Sequence, residues 1–311
     1  MSATHTANAV QPFDLFAVTL TAIEDLTPHI RRLTFSGKDL EHWADPGWDQ
    51  RIKLVFPARC GGYAYLPHGP SWYADYLALP EDQRCPIRTY TTRSVTIDQA
   101  SGMRHVQIDA VRHSPCGPAA QWIEAAQIGD ALMLLGPDSR YHGDPGGVDF
   151  VPPQHTGAYL LGGDETAAPA IARILEDLPE SARGIVVVEM PTQADMAYLP
   201  SHPGFDVRVV ARDGGEHGQL LVSEVVRAAQ ELCPTGVPQD VEEINVDEEL
   251  LWEVPRHAKG GAALRSAPLY AWLAGEASAV KAMRRHLVAQ RGLDRRAVAF
   301  MGYWRRGRAE S

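Results

Sequence analysis

Cysteine is scarce in this chain. Cys60, Cys85, Cys116 and Cys233 are the only four, and no two form a CxxC pair. That spacing argues against a zinc ribbon, a cysteine-held iron–sulfur cluster and a dithiol redox motif. Any redox chemistry must therefore use another carrier. Long apolar runs are missing as well: no window approaches the roughly 18 residues that a bilayer-spanning helix needs. The opening MSATHTANAVQP has neither the basic stretch nor the apolar core of a signal peptide. The expectation is a cytoplasmic protein without membrane insertion. Positive charge is in deficit, with 29 Lys and Arg against 39 Asp and Glu, a net charge of −10. Coating nucleic acid requires a basic face, so nucleic acid is not an expected partner. Internal repeats and low-complexity tracts are also lacking.

What is present is an ordinary globular composition, 45% hydrophobic and 22% charged over 311 residues. That is about two domains' worth of chain. The first half reads as β. Phe13–Ile23, His29–Gly37, Arg51–Pro57, Arg88–Ile97, Arg104–His113 and Ala131–Pro137 are strand-length, rich in β-branched and aromatic residues, and bounded by Gly, Pro and Asp. Six such strands with little helix between them predict an antiparallel barrel. One helix is predicted over Pro118–Gln127, after a glycine and with proline in its first turn.

The second half alternates. GAYLLGG, IVVVEM, DVRVVAR and PLYAWLAG are continuous apolar strands, and TAAPAIARILEDL, QLLVSEVVRAAQEL and ASAVKAMRRHLVAQRG are amphipathic helices. This pattern predicts a parallel sheet covered on both faces. The rhythm changes in the Gly- and Pro-rich DPGGVDFVPPQHT, which sets the expected domains at 12–150 and 151–311. Two segments stand apart: a long insertion over Gly61–Cys85, and Glu231–Glu253 with eight acids and no basic residue. By contrast, Lys281–Ser311 carries nine Lys and Arg against two acids. Such runs are ordinarily solvated surface.

A barrel followed by an α/β sheet is the order expected when a flavin sits on the first and a nicotinamide nucleotide on the second. The string Arg88-Thr89-Tyr90-Thr91-Thr92-Arg93 is suited to the former. Alternation puts Arg88 and Tyr90 on one face, Thr91 and Arg93 on the other. Guanidinium groups fit pyrophosphate oxygens, and a tyrosine ring stacks on an aromatic heterocycle. An exposed strand with a packed tyrosine is the plainer alternative. Gly117-Pro118-Ala119-Ala120 opens a helix whose free backbone N–H groups form an anion site. Gly162-Gly163-Asp164-Glu165-Thr166 closes the first parallel strand, the usual place for a nucleotide phosphate. Ala274-Gly275-Glu276 closes a later one with small residues.

With these strings in order, the chain resembles the siderophore-interacting protein family of ferric-siderophore reductases, relatives of ferredoxin–NADP reductases. RTYTTR matches the family's R-x-Y-T-x-R flavin motif. IDAVRHSPCGPAAQWI, LGGDETAAPAI, WLAGEASAVKAMRRHL and GYWRRGRAES follow in register, from about Phe13 to the end. The resemblance implies an antiparallel β-barrel FAD-binding domain followed by a doubly wound α/β NAD(P)H-binding domain. NAD(P)H would reduce bound FAD, which reduces siderophore-chelated Fe(III) to Fe(II) and releases the iron. A flavin reductase with a protein or other acceptor, or a non-catalytic siderophore-binding module, are the alternatives.

By position, the resemblance assigns Arg88, Tyr90, Thr91, Arg93, Gly117, Ala119 and Ala120 to FAD. Asp109 and His113 fall in the matching strand. Ala120 stands where the family often has serine. Gly163, Thr166, Ala274, Gly275 and Glu276 are assigned to the nucleotide. Arg212 lies where related reductases hold the 2′-phosphate of NADPH, which tilts the expected donor from NADH towards NADPH. Lys53 matches a family lysine that meets the anionic siderophore; alone it reads as a solvated strand residue. Arg140 stands two positions beyond a family arginine. The C-terminal Trp304 is expected to wall the cleft, with Arg305 or Arg306 facing the siderophore alongside Lys53. Alternatively these arginines serve the nucleotide or solvent.

Overall fold

Two β-sheets share the chain, which passes from one to the other between Pro137 and His155. The computed structural model describes residues 10–69, 71–113, 117–233, 251–255 and 264–307. Most of the acidic stretch expected over Glu231–Glu253 lies outside the described residues.

The first sheet has seven antiparallel strands: β1 (Phe13–Thr27), β2 (Ile30–Ser36), β3 (Arg51–Val55), β4 (Ile87–Thr91), β5 (Ser94–Ile97), β6 (Arg104–Val111) and β7 (Ala131–Pro137). Their spatial order is β4-β3-β7-β1-β2-β6-β5. Along β1 the side chains of Phe16, Val18 and Leu20 are buried and their neighbours Ala17 and Thr19 exposed, the alternation of a sheet with one face on a core. β1 is long enough to serve two partners, β7 with its first half and β2 with its second.

The sequence predicts one strand over Arg88–Ile97, and the structure splits it. β4 pairs with β3, β5 pairs with β6, and the break is at Thr92–Arg93. There the Thr92 N–H donates to the Gln50 carbonyl and the Arg93 N–H to that of Gln107. One short segment thus spans the two ends of the sheet and curls it into a barrel. Helix α1 (Trp72–Ala78) lies in the 61–85 insertion, and α2 (Pro118–Ala125) ends two residues short of its predicted limit. α2 sends Ala119 and Ile123 into the barrel core and sets Trp122 against Phe35 and Phe56.

The second sheet holds β8 (His155–Asp164), β9 (Gly184–Met190), β10 (Phe205–Ala211), β11 (Trp252–Glu253), β12 (Ser266–Glu276) and β13 (Val298–Trp304), ordered β10-β9-β8-β12-β13-β11. All pair in parallel except the edge strand β11. Helix α3 (Ala168–Asp177) covers one face, and α4 (Gln219–Leu232) with α5 (Ala277–Arg284) the other. This double cover explains why β9 and β12 read as unbroken apolar runs. The opposite charges of the two distinctive segments meet at Glu253, which binds both Arg284 and Arg295. No helix among the described residues is long and apolar enough to cross a membrane.

Polar contacts, those of Asp49 fully buried, join the two halves. Asp49, with no exposed surface, accepts hydrogen bonds from the N–H groups of Asp149 and Phe150 and from Trp272 Nε1. Arg93 forms a bidentate pair with Glu176 at 2.6 Å for both bonds. Arg173 binds Asp45 and Asp177.

Candidate functional site

The carboxyl ends of β10, β8, β12 and β13 bring together Arg212, Gly163, Thr166, Ala274–Glu276 and Trp304, all of which the sequence had marked. What organises them is Asp164, which lies in one of the marked strings but had no role of its own there. Its Oδ1 accepts from Thr166 N at 2.9 Å and Thr166 Oγ1 at 2.5 Å. Its Oδ2 accepts from Glu276 N at 2.7 Å and Trp304 Nε1 at 2.9 Å. Burial raises this carboxyl above its ordinary range, and the neighbouring Glu165 charge adds to the effect. Gly275, at φ +136°, has no room for a Cβ because the Asp164 carboxylate fills that space. Gly163 is likewise demanded by packing: a Cβ there would strike Ala167 and the Ala274 carbonyl. Glu276 caps α5, accepting from Ser278 N and Ala279 N, and reaches the Arg306 backbone N–H at 3.4 Å.

Beside this knot lies a charged cluster. Arg212 Nη1 and Nη2 donate to Glu165 at 2.8 and 2.5 Å, and Glu165 is 2% exposed. Burial alone would raise the Glu165 carboxyl, but contact with His217 and Arg212 pulls it down to about 2. His217 stands edge-on to Trp304, with ring centroids 4.8 Å apart, and its Nε2 is 3.5 Å from Glu165. Glu189 accepts from Gly218 N and Leu221 N at the start of α4 and lies 3.7 Å from Arg212. His113 lies two residues beyond β6, within reach of the Glu165 and Arg212 charges. Glu165 is visible in the sequence as the residue before Thr166; nothing local marks His217 or Glu189.

On the barrel, Arg88 and Tyr90 lie in register with Leu54 and Ile52, so Tyr90 packs on the barrel core. Thr91, in register with Arg51, is buried. Gly117 opens α2 in an extended conformation, with open space where a Cβ would stand. Ala119 turns into the core, while Ala120 is half-buried. Arg93 and Asp109 sit in the buried contact between the domains. Asp109 accepts a bidentate pair from Arg32 and a 2.6 Å hydrogen bond from Tyr198 Oη, and lies 3.5 Å from Arg93.

Lys53 faces outward from β3 and donates to Thr89 Oγ1 at 2.5 Å. Two residues along, Arg51 stacks on Trp252 at 4.7 Å, and Trp252 stacks on Tyr303 at 5.8 Å. An aromatic bridge therefore runs from the outer face of β3 to the strand end carrying Trp304, Arg305 and Arg306. Arg140 binds Asp138 and Asp14.

An antiparallel barrel followed by a parallel sheet covered by helices is the ferredoxin reductase-like fold. A ferredoxin reductase from carbazole 1,9a-dioxygenase shares it at TM-score 0.55 and 16% identity, covering 95% of this chain and 71% of that one. Within that class the chain belongs to the siderophore-interacting protein family. Residues 19–141 match the siderophore-interacting FAD-binding domain, and residues 156–307 the siderophore-interacting protein domain. An uncharacterized protein of Mycobacterium tuberculosis H37Rv is 32% identical over 309 residues, covering 95% of this chain and 92% of its own. The ferric vibriobactin reductase ViuB of Vibrio cholerae is 27% identical, covering 92% and 87%. The structure of a siderophore utilization protein from T. fusca superposes at TM-score 0.64 with 28% identity, covering 96% and 95%.

Proposed function

We propose that this protein is a ferric-siderophore reductase that uses NAD(P)H and FAD to reduce chelated Fe(III) and release it as Fe(II). One observation carries this reading: in a chain of this family, Arg93 of the R-x-Y-T-x-R string is paired with Glu176 of α3, the helix that follows the Asp164-centred sheet edge. The barrel residues suit FAD. Arg88 offers a guanidinium, Tyr90 an aromatic face, and α2 a start with no side-chain cap and no acid in its first turn. Thr92 Oγ1 is buried without a hydrogen-bond partner among the described residues, a polar atom left for a ligand to satisfy.

In this reading Arg88 and the first N–H groups of α2 bind the pyrophosphate, while Tyr90 orients the ring system. FAD, when bound, supplies the conversion of a two-electron donor into single electrons. Thr166, Gly163 and Ala274–Glu276 form the edge on which the dinucleotide rests. Lys53, with Arg305 and Arg306 across the aromatic bridge, draws in the anionic ferric complex, and Fe(II) leaves because hard anionic oxygens hold it more loosely.

The test is an anaerobic titration of the FAD-reconstituted protein. NADH or NADPH should bleach the flavin absorbance, and a ferric siderophore should restore it while a ferrous chelator develops colour. No bleaching with either nucleotide would sink the proposal.

Charge placement gives a second expectation. A chain at −10 repels an anionic complex unless a local basic cleft reverses the field. Lys53→Glu should raise KM for a catecholate-type anionic complex on the order of fivefold and shift a neutral hydroxamate complex less. The wild-type rate with the anionic complex below saturation should fall as salt rises. Equal KM values for wild type and variant with both complexes would remove Lys53 from this role.

A further inference from the structure

The arginine that the resemblance assigns to a 2′-phosphate already has an anion on it. Arg212 follows β10 at the carboxyl edge, and both of its terminal nitrogens are held by the Glu165 carboxylate. That carboxylate is itself 2% exposed, and a guanidinium fork fits one planar anion at a time. A second acid, Glu189, is tied to the first turn of α4 and adds negative charge 3.7 Å from the guanidinium, and Asp164 acts on it as well.

We infer that Glu165 sets the choice of electron donor, masking Arg212 so that the site takes a dinucleotide lacking a 2′-phosphate. The inference rests on the proposed use of this sheet edge as the nucleotide site, and it refines that reading. A 2′-phosphate reaching Arg212 has to displace Glu165. That leaves a buried carboxylate stripped of its bidentate partner, with Glu189 and the incoming phosphate both close by. NADH meets no such cost, because it asks nothing of Arg212. A neutral isostere at position 165 relieves the competition: an amide oxygen cannot hold the fork as a carboxylate does, and Arg212 becomes available to phosphate.

The experiment is calorimetric binding of NAD+ and NADP+ to FAD-reconstituted wild type, Glu165→Gln and the double variant Glu165→Gln/Arg212→Gln, each checked for a cooperative melt. Wild type should bind NAD+ at least as tightly as NADP+. Glu165→Gln should tighten NADP+ at least tenfold, about 1.4 kcal/mol, while moving NAD+ less than about twofold. The double variant should lose that gain. If Glu165→Gln fails to fold, Glu165→Asp, which withdraws the carboxylate by one methylene, should move the ratio in the same direction. A wild type that prefers NADP+ tenfold, or a variant that tightens both nucleotides alike or neither, overturns the inference and leaves the donor site standing. Absence of binding of either nucleotide by all variants, with FAD retained, overturns the donor site and the inference together.

Discussion

Asp49→Ala is expected to lower the unfolding free energy by roughly 3–5 kcal/mol, because it orphans three buried donors at once. These are the N–H groups of Asp149 and Phe150, at 3.0 and 2.9 Å, and Trp272 Nε1 at 2.9 Å. They come from the segment between the sheets and from β12, so a single carboxylate ties both to the turn before β3. Its ionisation adds a pH signature. Burial pushes the Asp49 carboxyl up to about 6 from 3.8, against the pull of its three hydrogen bonds. The folded state therefore holds a proton that the unfolded chain has lost between about pH 4 and 6, and stability falls as pH rises through that window. The gap between wild type and Asp49→Ala should be wider near about pH 4.5 than near about pH 7.5. Urea unfolding at the two pH values reads both effects. A loss below about 1 kcal/mol would show that the three donors find other partners.

Arg88→Ala is expected to weaken FAD retention by roughly 10- to 150-fold, the equivalent of about 1.5–3 kcal/mol for a charge-assisted contact to pyrophosphate. Arg88 is half-buried, and its Nη1 donates to the Ile87 carbonyl, which holds the side chain against its own strand. The ratio of flavin absorbance to protein after gel filtration, with an FAD titration of the apoprotein, measures the change. Full flavin content and unchanged affinity would take Arg88 out of the site.

Strand and helix assignments were legible wherever the signal is local. The alternation in β1 and the unbroken apolar runs of β9 and β12 each report which faces of an element meet a core, and that depends on residues a few positions apart. The Arg88–Ile97 strand was misjudged at its centre for the same reason. Thr92 and Arg93 look like strand residues, and only the separation of β3 from β6 in the barrel forces the chain to change partners there.

By itself, then, the sequence determined the order of a β half and an α/β half and the resemblance to a family with an FAD-binding domain. Tertiary structure alone decided what the charged side chains face. Arg212 meets Glu165 across 47 residues, Arg93 meets Glu176 across 83, and Asp49 meets Trp272 across 223. Chain distances of that length leave no periodic trace in composition or spacing. A buried charge takes whichever opposite charge or donor the packed sheets deliver, since leaving it unpaired costs more than any local preference supplies. Whether an arginine is offered to a ligand or already bound is settled only when the two sheets have closed on each other.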